Sequence, residues 1–208
     1  MTAAVLLARA DAVLVDLDGT LVDSTAPVRR VWSAFARRHG LDPETVHHYA
    51  QGRPSRETVR LLAPGADHAA EAATVEAVEV ADVDGVFALP GAAALLAVRR
   101  PLAIVTSCSA ALAAARLHAA GLASPEVLVS GDDVARGKPD PQAYVIAARR
   151  IGVDPSRCVV LEDAPAGIEA GRAAGAPVVA LRTTHPDAEL GAADAIADDL
   201  AALLADSA

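Results

Sequence analysis

The sequence predicts an α/β fold, a Rossmann-like parallel sheet covered by helices, with an all-helical cap inserted after the first strand. Three observations lead there. Short β-type apolar runs alternate with Ala-rich helical stretches through most of the chain, the pattern of parallel strands joined by crossover helices. Each run is apolar without a break, as a strand buried on both faces must be. The alternation fails over one stretch only, residues 22–85, where the apolar spacing is helical and no convincing strand is seen.

Taken in order, residues 12–15 (AVLV), 102–105 (LAIV), 127–129 (VLV), 159–161 (VVL) and 178–181 (VVAL) read as the buried strands. Residues 110–120, 141–150 and 165–174 read as the helices between them. Pro141 and Pro165 suit first-turn positions, and Gly121, Gly152 and Gly175 suit helix ends. In such a sheet, ligands sit at the carboxyl ends of the strands. Within the inserted stretch, Val28, Val31, Trp32 and Phe35 share one helix face, and the pairs Val59, Leu62 and Val75, Val78 mark two further helices. The expected division is a core of residues 1–21 and 86–208 and a cap of residues 22–85. Asp18-Gly19 and Asp84-Gly85 stand at the two junctions, where they suit hinges.

Composition narrows the function. The chain has 208 residues, enough for one domain or a core with a smaller insertion. Hydrophobic residues make up 53 % and aromatics only 2 %, so Ala, Val and Leu must build the core and base stacking has little to work with. A net charge of −9 repels nucleic acid and anionic membrane, so neither is expected as a partner. No obligate protein partner is expected either. Cys108 and Cys158 form neither a disulfide framework nor a zinc pattern and read as reduced thiols. The apolar start, Met1 to Leu7, lacks a basic leader and is soon interrupted by Arg9 and Asp11, so a cytoplasmic location is expected.

The chemistry collects at four strand ends. Asp16 and Asp18, in Asp16-Leu17-Asp18-Gly19-Thr20, are two like charges that raise each other's cost of ionisation. Either they form an acidic surface turn, or a cation lies beside them, and magnesium, which takes oxygen ligands, waters and a phosphate, answers that need. Thr106-Ser107-Cys108-Ser109 precedes a helix, which suits an anion site as well as an ordinary N-cap. Gly137-Lys138-Pro139-Asp140 is no nucleotide-binding P-loop, since Pro139 stands where Ser or Thr must hold magnesium. Lys138 is the one lysine among 18 basic residues, which suggests that a compact ammonium charge is needed there. Glu162 and Asp163 again place acids at a strand end before a helix, where Asp163 also suits an N-cap. His47-His48 reads as surface, having no third ligand at metal spacing. Gly167, Gly171 and Gly175, four residues apart, would let the following helix lie close to the sheet.

These four motifs, in this order, resemble the haloacid dehalogenase superfamily, specifically its phosphatase branch with a helical cap after the first motif. Leu21-Val22-Asp23-Ser24, residues 52–57 (GRPSRE) and Arg182-Thr183-Thr184-His185 resemble the sugar-phosphatase group, which includes glycerol-3-phosphatases, 2-deoxyglucose-6-phosphatases and hexose-phosphate phosphatases. The resemblance implies a magnesium-dependent phosphatase acting on a small sugar or polyol phosphate. Asp16 would be the nucleophile that becomes phospho-aspartate, and Asp18 the general acid and base. Asp16, the Asp18 carbonyl and Asp163 would hold Mg2+, with Glu162 close by, directly or through water. Thr106 and Ser107 would bind phosphate oxygens, and Lys138 would offset their charge. Arg53 and Arg56 are the cap candidates for substrate contact.

Three other readings share the pattern. A β-phosphoglucomutase-like enzyme has the same fold and motifs but needs donors for a second phosphate, where this chain has Ala110 and Ala111. A dehalogenase needs no second acid, yet Asp18 is present. A non-catalytic binding module on the same fold would be expected to have lost one of these groups.

Overall fold

The structure, a computed structural model, describes residues 1–50 and 53–207. A short helix α1 (Ala3–Arg9) leads into β1 (Ala12–Val15). A two-residue strand β2 (Val22–Asp23) then opens a helical segment of α2 (Thr25–His39), α3 (Pro43–Ala50), α4 (Ser55–Leu62) and α5 (His68–Ala81). The strand β3 (Phe87–Ala88) closes it by pairing antiparallel with β2. From there α6 (Ala92–Leu96), β4 (Leu102–Val105), α7 (Ala110–Ala119), β5 (Val127–Val129) and α8 (Gln142–Arg150) follow. The chain finishes with β6 (Cys158–Glu162), α9 (Pro165–Ala173), β7 (Val178–Leu181), α10 (Asp187–Leu190), β8 (Ala195–Ala197) and α11 (Leu200–Ala205).

Six strands form one parallel sheet in the order β5-β4-β1-β6-β7-β8. β1 is therefore central. The chain first moves to one side of it through β4 and β5, then crosses to β6 on the other side. That reversal opens a crevice at the carboxyl ends of β1 and β6, where ligands bind in folds of this kind.

Alternation of side chains divides the core in two. Val13, Val15, Ile104, Val159 and Leu161 face one layer, packed with Leu7, Leu95 and Leu117. Ala12, Leu14, Ala103, Val105 and Val160 face the other, against Tyr144, Ala147 and Ile168. Small residues do the work that aromatics do elsewhere. Gly171 shows how: a Cβ there would lie 2.9 Å from Val178 and 3.0 Å from Val160, so its absence seats α9 directly on the sheet.

The helical segment has its own apolar cluster, in which Val31, Trp32, Phe35, Val46, Val59 and Val75 pack together. Trp32 and Phe35 meet edge to face with ring centroids 5.3 Å apart. Two expectations need correction here. Residues 22–85 are not free of strand, because β2 lies at the start of the stretch; two residues are too few to show a period of two. The segment also holds a fourth helix, α3, whose polar composition hid it. Among the described residues no helix is long and apolar enough to cross a membrane.

Candidate active site

β1 delivers Asp16 at the bottom of the crevice, and β6 delivers Glu162 and Asp163 beside it. One carboxylate oxygen from each of the three lies within 4.8 Å of the others, and all three residues are buried. Lys138 reaches in from the loop before α8. Its ammonium donates to Asp16 Oδ1 at 2.5 Å, to Glu162 Oε1 at 2.6 Å and to the Val105 carbonyl at 3.1 Å. Three hydrogens meet three acceptors, which a planar guanidinium could not do from the same position.

The local sequence makes these approaches possible. Gly19 adopts φ +81°, and a Cβ on it would fall 2.2 Å from Asp163 Oδ2. Only glycine both turns the chain there and leaves room for the acid. A Cβ at Gly167 would fall 1.8 Å from Glu162 Oε1, so the first turn of α9 is open to admit that carboxylate. Glu162 is then fully engaged: Oε1 also accepts from the Tyr144 hydroxyl at 2.7 Å, and Oε2 accepts from the amides of Asp163 and Ala164 at 3.1 and 3.3 Å. Asp163 accepts from Thr20 Oγ1 at 3.2 Å and from the Thr184 hydroxyl. His185 Nδ1 lies 3.0 Å from the Asp163 carbonyl.

The charges do not balance. Burial pulls the Lys138 ammonium down, but Asp16 and Glu162 outweigh it and hold lysine well above its usual range. Burial raises Asp16 well above the carboxylate range; Lys138 opposes this, while Glu162 and Asp163 add to it. Burial, helped by Glu162, pushes Asp163 up to about 7 against the pull of Thr184, Lys138 and Thr20. Three buried carboxylates thus share one ammonium. An all-oxygen donor set with surplus negative charge suits a hard divalent cation such as Mg2+. The residues present fit that group.

Asp18 stands further out. Its Oδ1 accepts from Ser24 Oγ at 2.7 Å, and its Oδ2 pairs with Arg116 Nη1 at 2.8 Å. Thr106 and Ser107 lie at the end of β4, on the opposite wall. Thr106 Oγ1 accepts from the Cys108 amide at 3.2 Å, and Ser109 caps α7 through the Leu112 amide. Burial, with Asp18 nearby, pushes the Cys108 thiol up to about 12, so it has no thiolate chemistry to offer.

One cleft gathers Asp16, Asp18, Thr106, Ser107, Lys138, Glu162, Asp163 and Arg53. Arg56 lies outside it, donating instead to the Val134 carbonyl at 3.4 Å, because α4 aims it at the core loop rather than the cleft. Gly52, part of the GRPSRE stretch, falls outside the described residues. His47, expected at the surface, is buried: its Nε2 sits 3.1 Å from Ser33 Oγ and 3.2 Å from the Arg29 carbonyl, while His48 is exposed. α3 turns one histidine inward because it shares a face with Val46 and Ala50.

Sequence reasoning missed Arg116, Glu79, Tyr144 and Thr184. A signal existed for three of them. Arg116 continues the buried stripe of Leu112, Ala113 and Leu117, and Glu79 follows Val75 by one helical turn. A charge on an apolar stripe is the clue. Thr184 lay in the Arg182-Thr183-Thr184-His185 stretch that carries the resemblance but was given no role there, and Tyr144, which bonds Glu162 from another element, left no signal.

Residues 10–175 match the family described as haloacid dehalogenase-like hydrolase. The chain is 45 % identical over 194 residues to hexitol phosphatase A of Escherichia coli (strain K12), covering 90 % of both chains. It is 39 % identical to validoxylamine A 7'-phosphate phosphatase of Streptomyces hygroscopicus subsp. limoneus, covering 90 % of this chain and 92 % of that one. Among solved structures, a hydrolase from Pseudomonas syringae superposes with a TM-score of 0.83 at 27 % identity, covering 94 % of this chain and 96 % of that one.

Proposed function

This chain belongs to the haloacid dehalogenase-like hydrolases and is a phosphoric monoester hydrolase, and from that premise we propose that it is a Mg2+-dependent phosphatase of small sugar or polyol phosphates working through a phospho-aspartate on Asp16. The observation that carries this reading is the buried triad of Asp16, Glu162 and Asp163 sharing the single ammonium of Lys138.

Asp16, Asp163 and the Asp18 carbonyl would hold the ion. Glu162, with both oxygens engaged, instead fixes Lys138 and the start of α9. When bound, Mg2+ supplies positive charge to the non-bridging phosphoryl oxygens. Asp16 attacks phosphorus, forming an Asp16–O–P bond as the bond to the leaving oxygen breaks. Asp18 gives that oxygen its proton, and the alcohol leaves. Asp18, now a base, takes a proton from water; the water oxygen attacks phosphorus, releasing phosphate and restoring the Asp16 carboxylate. Thr106 and Ser107 hold phosphoryl oxygens from the opposite wall, and Lys138 fixes Asp16 while offsetting its charge. Arg53, over the Tyr49 ring at 5.8 Å, stands at the cleft for substrate contact. Residues 22–85 act as the cap that shields the reaction from bulk water. The free thiols Cys108 and Cys158 support a cytoplasmic location.

The test is phosphate release from sorbitol 6-phosphate, 2-deoxyglucose 6-phosphate and glycerol phosphate, with Mg2+ and with a chelator. Turnover should require Mg2+. Asp16→Asn should lower it at least about a thousandfold while leaving the fold intact. Comparable turnover by Asp16→Asn would remove Asp16 as the nucleophile.

A further inference from the structure

Beyond Asp18 the wall of the cleft carries a second buried charge cluster. Arg116 from α7 and Glu79 from α5 are each 5 % exposed. Arg116 Nη1 holds Asp18 Oδ2 at 2.8 Å, whereas its Nη2 reaches Glu79 Oε1 only at 3.4 Å. Glu79 Oε2 accepts from Ser55 Oγ at 3.2 Å. The contact with Asp18 is short. Those from Arg116 and Ser55 to Glu79, which also bonds the Trp32 indole, lie near the outer limit of hydrogen bonding, where a hydroxyl group can take their place. Burying such a pair carries a desolvation cost that an apolar side chain on the same stripe would avoid. Burial, partly offset by Arg116, raises Glu79 above the usual glutamate range, so added donors would find an acceptor already stripped of water.

Position decides what those donors are. Asp18 hands its proton to the leaving oxygen, so the carbons and hydroxyls bonded beyond that oxygen must stand next to Arg116 and Glu79. Resting on the phosphatase reading above, we propose that Glu79 and Arg116 are specificity-determining residues that read the hydroxyl groups of the leaving alcohol and exclude a leaving group with a second negative charge. Glu79 accepts from hydroxyls and Arg116 donates to them. The exclusion follows from how the cations are used. Of the cations lining the cleft, the two buried ones are engaged: Lys138 with Asp16 and Glu162, and Arg116 with Asp18 and Glu79. Each already has its charge offset by two carboxylates, so although Arg116 can still donate to a hydroxyl, neither has charge to spare for a carboxylate or second phosphate, which would face Glu79. Arg29 and Arg53 also line the cleft but are exposed, and Arg29 is paired with Glu44 at 2.6 Å.

The experiment compares kcat/KM for sorbitol 6-phosphate and 6-phosphogluconate, which share a carbon chain but differ by a carboxylate. Each rate is referred to p-nitrophenyl phosphate hydrolysis by the same protein. The wild-type enzyme should favour sorbitol 6-phosphate, whose alcohol carries no charge, by at least about a hundredfold, as expected for like charges brought together. Glu79→Gln keeps the shape and removes the charge, and should narrow that ratio at least tenfold. A wild-type ratio near one, with p-nitrophenyl phosphate hydrolysed, would overturn the subsite while leaving the phosphatase standing. A Glu79→Gln ratio equal to the wild-type ratio would also overturn it. Release from none of the three esters with Mg2+ present would overturn the phosphatase reading and this proposal together. The wild-type comparison needs no variant, so it stands whether or not Glu79→Gln folds.

Discussion

Lys138 is tied to three acceptors at once, and each tie has a separate consequence on substitution. Lys138→Met would leave Asp16 and Glu162 buried with no cation, a loss of about 3–5 kcal/mol for breaking a buried pair from one side. Urea unfolding should show it as a lower midpoint at unchanged slope. Lys138→Arg keeps the charge but spreads it over a plane that cannot meet Asp16, Glu162 and the Val105 carbonyl together. It should unfold near the wild-type midpoint yet lose about a hundredfold in kcat. Wild-type turnover by Lys138→Arg would show that a point charge is not required. This residue was legible in the sequence as the sole lysine among arginines and through the Gly137-Lys138-Pro139-Asp140 motif that carries part of the resemblance. Its three partners come from β1, β4 and β6, and nothing local in the chain announces them.

At the scale of elements, α9 and the cap helices make opposite cases. α9 is placed by what it lacks: with no side chain at Gly167 or Gly171, it lies against Glu162, Val160 and Val178. Gly167→Ala would drive a methyl into the Glu162 carboxylate, which its partners hold in place, and should destabilise by more than about 2 kcal/mol with loss of activity. The cap helices are tied together at their surface by charge. Hydrogen bonds from Arg30 lower Asp82 below its ordinary range, and those from Arg38, then His39, lower Glu71. A depressed carboxylate contributes stability above its unfolded pKa and loses it as pH falls through the folded value. The cap should therefore loosen on acidification below about pH 4, and Trp32, the only tryptophan, sits in its core as a reporter. Trp32 fluorescence should shift there, and Asp82→Asn should remove part of that pH dependence. A transition identical in the variant would mean these surface pairs contribute nothing.

At the scale of the molecule, several contacts between the helical segment and the sheet core lie around the cleft. Arg116 reaches Glu79, Arg56 reaches the Val134 carbonyl, and a Cβ at Gly137 would fall 2.7 Å from Pro54 Cγ. A proline ring yields little, so Gly137→Ala should hold the cap off the loop that carries Lys138. The apolar clusters of the two units do not involve Gly137. Thermal stability should stay close to wild type while kcat/KM for a sugar phosphate falls about tenfold. An unchanged kcat/KM would show that the contact does not govern closure.

The alternation of apolar strands with helices, the helical insertion and the acids at strand ends were all written locally. Burial on both faces demands continuous apolar runs, and glycine or proline marks most ends of the crossover helices, so a window of a few residues suffices to read them. β2 and β3 escaped because two residues carry no period, and β8 because Ala195–Ala197 is half-buried and Ala-rich, unlike the continuous Val-Leu-Val run of β5. The inward turn of His47, the aim of Arg56 away from the cleft and the pairing of Arg116 with both Asp18 and Glu79 were decided only by tertiary structure. Each depends on which face of one helix meets another element far away in the chain, and that is fixed when the layers pack, not when the residues are strung together.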